Sequence, residues 1–288
     1  MEIKAYTLNA FGKTEKGGNP AGVVLNSENL SVKQMKLIAK EVGFSETAFV
    51  SSSNLADFKV RFFTPSEEVN LCGHATIATF YLLSELGMVN AGKYTQETKA
   101  GVLDIEVMDD GTILMTQSTP EFFGIIDKVE IADSLNISVD NMTNMPVEIV
   151  STGLRDIIVP IRTLDSLLSI KPNFDKISKI SEKYGAIGYH VFTLETKLEV
   201  TAHSRNFAPL YSIPEESATG TATGALSSYL FKHQILSMEK LDNLIFEQGY
   251  SMDMPSEIKA SLAVDNESIK RVKVGGKGSN IREVTVEI

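Results

Sequence analysis

The chain has 288 residues, 43% of them apolar, with one cysteine and a formal net charge of −10. That length suits one large domain or two of ordinary size, and a lone cysteine excludes an internal disulfide framework, so a cytoplasmic protein is expected. The acidic balance without a long basic run argues against nucleic-acid and anionic-membrane partners, and no apolar run is long enough to cross a bilayer.

In chain order, residues 2–8 alternate like a strand, without the basic start and apolar stretch of a signal peptide, and 21–26 form a second strand-like run. "SVKQMKLIAKEVG" (31–43) predicts an amphipathic helix. Ser31 is a good N-cap, Val32, Met35, Ile38, Ala39 and Val42 make the apolar stripe, and Gly43 can take the left-handed final position. "ETAFVSS", "DFKVRFFT", "VLDIEVM" and "TILMTQS" read as strands, with "DDG" (109–111) as a hairpin turn. The second half brings "VEIVST", "DIIVPI", "GYHVFTL" and "LEVTAHSRNF", with a helix near 174–184. The final stretch from Arg271 reads strand, glycine-rich turn, strand. Its "VGGKGSN" (274–280) lacks the spacing of a phosphate loop, and a strand follows it rather than a helix.

Two stretches repeat one another. "VRFFTPSEEVNLCGHATIATFYLL" (60–83) and "SRNFAPLYSIPEESATGTATGALSSYLF" (204–231) each run Arg, Phe-x-Pro, an acidic loop, a Gly-x-Ala-Thr helix start and a nearly all-apolar helix. Pro65 precedes Gly73 by 8 residues and Pro209 precedes Gly220 by 11. A helix apolar on every side must be enclosed. In so strand-rich a chain, the natural enclosure is a curved sheet wrapped around it. The expectation is α+β, with two similar halves, each a strongly curved, mostly antiparallel sheet around a central buried helix (75–86 and 222–232). The halves are taken as 1–118 with about 277–288, and 119–276, with the active-site cleft between them. An enclosed helix leaves unsatisfied N–H groups at its first turn, which can hold an anion. Ordinary tight turns before two core helices would also explain the glycines.

With these motifs in hand, the chain resembles a known family. "GGNPAGVVL", "FSETAFV", "VRFFTPSEEVNLCGHATIAT", "RNFAP" and "EESATGTATGAL" look like the blocks of the PhzF-like (phenazine biosynthesis protein F) isomerases, which share a fold with diaminopimelate epimerase. The blocks lie in family order over nearly the whole chain. The resemblance implies catalysis without metal or organic cofactor, a homodimer, and an isomerase that moves a proton on a small anionic, carboxylate-bearing metabolite.

It also implies the site. The family's acid/base residue falls on Glu46. One carboxylate can take a proton from one carbon and return it to another within its reach, and partial removal from water suits a carboxyl to both roles. His74, at the start of the first central helix, would touch substrate and help move the proton. Glu216 would assist or orient, standing where the family has aspartate. Ser217 replaces a family proline and Thr221 a serine. Gly73, Gly220 and Thr221 would hold the substrate's anionic group, and Asn19 would line the cleft. Cys72 occupies the first cysteine position of the two-thiol epimerases, but the matching position is Thr219, so two-thiol racemisation is excluded and Cys72 reads as a small buried residue. His74, His190, His203 and His233 lack metal-ligand spacing. Arg61 and Arg205 are best explained as ion pairs with Glu67, Glu68, Glu215 or Glu216. Two alternatives stay open: an epimerase or dehydratase of an amino or hydroxy acid on the same fold, and a non-catalytic protein binding a metabolite or a partner.

Overall fold

The computed structural model describes residues 1–196 and 198–288. The chain divides into two units, Met1–Thr116 with Gly275–Ile288, and Gln117–Val274. Both boundaries fall two residues before those read from the sequence. No helix among the described residues is long and apolar enough to cross a membrane.

The first unit is built from β1 (Glu2–Ala10), β2 (Asn19–Val24), α1 (Val32–Val42), β3 (Thr47–Ser51), β4 (Phe58–Phe63), β5 (Glu68–Val69), α2 (Gly73–Glu85), β6 (Gly92–Thr98), β7 (Gly101–Val107) and β8 (Ile113–Gln117). The second follows with β9 (Glu121–Ile126), α3 (Lys128–Leu135), β10 (Val147–Ser151), β11 (Arg155–Ile161), α4 (Leu164–Ser169), α5 (Phe174–Tyr184) and β12 (Gly188–Thr193). Then come β13 (Ala202–Ala208), β14 (Ile213–Glu216), α6 (Gly220–Lys232), β15 (Leu244–Gln248), β16 (Ser256–Asp265) and β17 (Ser268–Gly276). The last strand, β18 (Gly278–Glu287), belongs to the first unit.

In the first unit the strands pair in the order β18-β1-β2-β3-β4-β6-β7-β8, with β5 beside β4. Two pairs, β2 with β3 and β4 with β6, are parallel; the others are antiparallel. A parallel pair needs a crossover, and α1 and α2 supply the two. The second unit repeats the plan as β9-β10-β11-β12-β13-β15-β16, with β14 beside β13. Its parallel pairs are β11 with β12 and β13 with β15, crossed by α4–α5 and by α6. The expected α+β architecture of two similar halves is therefore what the chain adopts.

Local chemistry fixes the elements. Ser31 and Gln34 form a reciprocal capping box at the start of α1, and Gly43 ends it at φ 79°. Met35, Ile38 and Ala39 bury against Ala5, Val24, Phe49 and Phe63 on one sheet face, while Val32 is exposed. In the second unit α3, α4 and α5 cover the corresponding face. The central helices are enclosed: the nine residues His74, Ala75, Thr76, Ile77, Ala78, Thr79, Phe80, Leu82 and Leu83 of α2 are buried, as are nine consecutive residues, 222–230, of α6. Their hydroxyls need no water. Thr76 and Thr79 donate to the carbonyls four residues back, and Thr223, Ser227 and Ser228 do the same in α6.

Arg61 holds Glu68 through Nε and Nη2 at 2.8 and 3.0 Å, and Arg205 holds Glu215 the same way at 2.8 and 2.8 Å. Each guanidinium also lies over a phenylalanine two residues on, Phe63 or Phe207. The glycines of 274–280 serve packing. A Cβ at Gly275 would sit 1.8 Å from the Ile113 carbonyl oxygen, and one at Gly278 would sit 2.3 Å from the Tyr81 ring. The stretch forms parts of two long strands separated by Lys277, in place of the expected turn.

Candidate functional site

Glu46 stands directly before β3, where its carbonyl accepts from the Gly22 N–H of β2 at 3.1 Å. That bond, with the parallel β2–β3 register Gly22↔Thr47, fixes the backbone that carries the carboxyl. His74 is the second residue of α2. Its Nε2 lies 3.3 Å from Glu46 Oε2, with the histidine side chain 9% exposed and the glutamate 18%. Glu46 Oε2 is buried and has no hydrogen-bond partner among the described residues. The two atoms are therefore close without an aligned hydrogen bond. Cys72, the N-cap residue of α2, makes no side-chain cap; its Sγ lies 3.5 Å from His74 Nδ1 and 3.8 Å from Nε2. Asn19 opens β2 and is buried.

The first unit thus brings together Glu46, Gly73 and His74, with Cys72 added. That neighbour was read from the sequence only as a small buried residue. It sits 26 positions after Glu46, and only the pairing of β2, β3 and α2 brings the two near. A metal ion can be held by three such donors, and Glu46, Cys72 and His74 offer one ligand atom each, all within 4.8 Å of one another.

The second unit carries Glu216, Gly220 and Thr221. Glu216 ends β14, and its Oε2 accepts the Thr219 hydroxyl proton at 2.7 Å. Gln248 braces this turn, donating to the Glu216 carbonyl at 2.7 Å and accepting from the Thr219 N–H at 3.2 Å. Thr219 takes the N-cap place of α6 without a side-chain cap, so the start of α6 matches that of α2 in lacking one. The Thr221 carbonyl accepts from the Thr152 hydroxyl at 3.0 Å.

Two further groups in this unit escaped the sequence. Asp156 on β11 is buried, and burial first, then the charge of Glu216, pushes its carboxyl up to about 8. It is protonated at neutral pH and has an O–H to donate. His190 on β12 is fully buried; burial lowers it to about 4, against the opposing effect of its Asn206 bond. With Asn206 Oδ1 accepting at 3.0 Å, the proton sits on Nδ1, and Nε2 has no partner among the described residues. Both residues lie inside runs that read simply as strands. Burial in the folded sheet, invisible in the sequence, sets their protonation.

Comparison with known proteins gives this geometry its context. The model of the phenazine biosynthesis-like protein family, PhzC-PhzF, matches residues 8–284. An uncharacterised isomerase of Clostridium acetobutylicum is 37% identical over 285 residues, covering 94% of this chain and 93% of that one. The crystal structure of a PhzF-family phenazine biosynthesis protein of Bacillus anthracis superposes with a TM-score of 0.90 at 34% identity, covering 100% of both chains. A trans-2,3-dihydro-3-hydroxyanthranilate isomerase of Pseudomonas chlororaphis is 28% identical over 285 residues, 97% of each chain. The match runs almost end to end: the chain belongs to the PhzC-PhzF, phenazine biosynthesis-like family, and it is an isomerase of that family.

Proposed function

We propose that the chain shifts a proton between two carbons of a small carboxylate-bearing metabolite, with Glu46 as the group that carries it. The single supporting observation is the Glu46–His74 pair. A carboxylate oxygen is buried, lacks a hydrogen-bond partner among the described residues, and lies 3.3 Å from an imidazole nitrogen at the uncapped start of a buried helix. A donor-free carboxylate oxygen is a competent base, and the neighbouring imidazole can donate to or accept from the same substrate.

In the proposed step the Glu46 carboxylate takes a C–H proton, and the electron pair left behind moves into the substrate's π system. The protonated Glu46 then gives the proton to a carbon two positions away. One C–H bond breaks and one forms, the double bond moves, and no oxidant is consumed. Negative charge that builds on the substrate between the two transfers is met by the free N–H groups around Gly73, where it costs least. The proposal extends to Gly220 and Thr221 as a second set of anion-binding groups, to Glu216 as an orienting carboxylate, and to Asn19 as a contact of the bound substrate. It includes action as a cytoplasmic homodimer without an organic cofactor. A substrate close to trans-2,3-dihydro-3-hydroxyanthranilate, the compound named for the Pseudomonas relative, is the first candidate.

The test is deuterium uptake from D2O into a panel of unsaturated and dihydro-aromatic acids. The parent should label at least one acid. Glu46→Gln, which keeps the size of the side chain and removes the base, should label it about 10²–10⁴-fold more slowly while melting at the parent temperature. Equal labelling by parent and variant would remove Glu46 from the mechanism.

A further inference from the structure

The donor set at the start of α2 supports more than proton transfer. At a tetrahedral zinc ion, nitrogen and oxygen ligands sit about 2.0–2.2 Å and a thiolate about 2.3 Å from the metal. Tetrahedral angles then place nitrogen and oxygen ligands about 3.3 Å apart, and the sulfur about 3.5 Å from either. Glu46 Oε2 and His74 Nε2 are 3.3 Å apart, and Cys72 Sγ is 3.8 Å from that nitrogen. Two of the three separations are thus close to those of ligands around one metal, and Glu46 and Cys72 need only draw in from within 4.8 Å. We propose that Glu46, Cys72 and His74 form a binding site for a zinc-class divalent cation, and that this cation competes with substrate.

Three features favour such an ion. Nitrogen, sulfur and carboxylate oxygen together select a borderline-soft metal over magnesium or calcium, which prefer all-oxygen shells. A thiolate and a carboxylate carry two negative charges, which a dication neutralises in a site largely closed to water. The glutamate oxygen lies 3.3 Å from the imidazole nitrogen with no hydrogen bond joining them, a spacing that two ligands of one metal share. The positive end of α2 opposes a cation, and the two anionic ligands, a metal-bound thiolate and a carboxylate, offset it. Three protein ligands leave the fourth tetrahedral position to water. A glutamate bound to metal cannot carry a proton, so an occupied site is an idle one.

Binding is measured directly and does not depend on the proposed reaction. Metal-free protein is titrated with zinc in a calorimeter, and cobalt(II) is added in parallel to report coordination by colour. One zinc per chain is expected, together with a cobalt spectrum showing tetrahedral coordination and sulfur-to-cobalt charge transfer. Cys72→Ser should abolish the charge-transfer band and weaken zinc at least tenfold. Glu46→Gln, which removes an anionic ligand with little change of shape, should weaken zinc comparably. Thermal melting of each metal-free variant checks that it is folded. Absence of stoichiometric zinc binding by the parent, or zinc binding by folded Cys72→Ser equal to the parent's, overturns the proposal. If the deuterium assay fails while zinc binds, the metal site stands and the proton-transfer reading alone falls. If labelling depends on Glu46 and no zinc binds, the reverse holds.

Discussion

Asp156 and His190 place opposite demands on folding. Asp156 keeps its proton to about pH 8 in the folded chain but gives it up near the ordinary carboxyl value of 3.8 when unfolded. Between those limits the folded state binds more protons, so this residue's contribution falls as pH rises toward 8 and is level above it. His190 titrates near 4 folded and near 6.5 unfolded, so its contribution is fully present above 6.5 and is lost as pH falls toward 4. Asp156→Asn should therefore flatten the decline in stability between about pH 5 and 8 and raise the melting temperature at pH 8. His190→Gln should flatten the acid decline. Chemical denaturation across pH measures both, and an unchanged alkaline slope in Asp156→Asn would show that the carboxyl is charged when folded. Neither residue could be found from sequence, since "DIIVPI" and "GYHVFTL" show only strand-like runs. Glu46 and His74 were named as candidates from the resemblance, and they lie 3.3 Å apart. Cys72 was read as mere filling because its closeness to Glu46 arises from strand pairing.

At the scale of elements, one device is built twice with different energetics. Arg205 is 6% exposed in its side chain and also donates to the carbonyls of Leu167 and Ile170, whereas Arg61 is 27% exposed. Arg205→Met takes the cation from Glu215, leaving it the Ser251 hydroxyl, and a donor from the buried Leu167 and Ile170 carbonyls, and should cost about 3 kcal/mol. Arg61→Met leaves Glu68 with Lys99 at 3.7 Å and some water, and should cost about 1 kcal/mol. Urea unfolding of the two variants checks the contrast; equal losses would mean that burial does not set the value of these clamps. The two arginine pairings were foreseen, as were the central helices, whose lack of a polar face allows only enclosure. Other elements stayed hidden for physical reasons. In β6, "GKYTQET", the fully buried position is Gln96, whose amide donates to Thr76 at 3.1 Å, so a polar residue sits where hydropathy expects an apolar one. In β16 the inward side alternates regularly, but Ser256 and Ala260 between Ile258 and Leu262 are small and dilute the apolar pattern. In β9 Phe123 and Ile125 are exposed, so its apolar pattern points away from the core.

The whole molecule repeats a single pairing plan, which the two matched stretches disclosed in outline. The parallel pairs were not read, since a strand's own residues carry no direction; the one trace is a helix between strands, as α1 between β2 and β3. The plan also shows where the first unit is vulnerable. β1 lies between β2 and β18, with Glu2 opposite Glu287 and Ala10 opposite Gly278. A chain cut after Gly276 loses β18 and leaves β1 as an unpaired edge. It should lose amide protection through β1 and α1 and lose turnover with it, while α5, β11 and β12 keep theirs. Hydrogen exchange read by mass spectrometry decides this, and full protection of β1 in the shortened chain would contradict it.

That pairing sets an order of events during synthesis. β1 is made before β2 to β17, and the neighbour that completes it, β18, is made after them. The later unit can settle while the earlier one still waits for its closing edge. Glu46, Cys72 and His74, carried by the waiting unit, gain their finished surroundings only once β18 has been made.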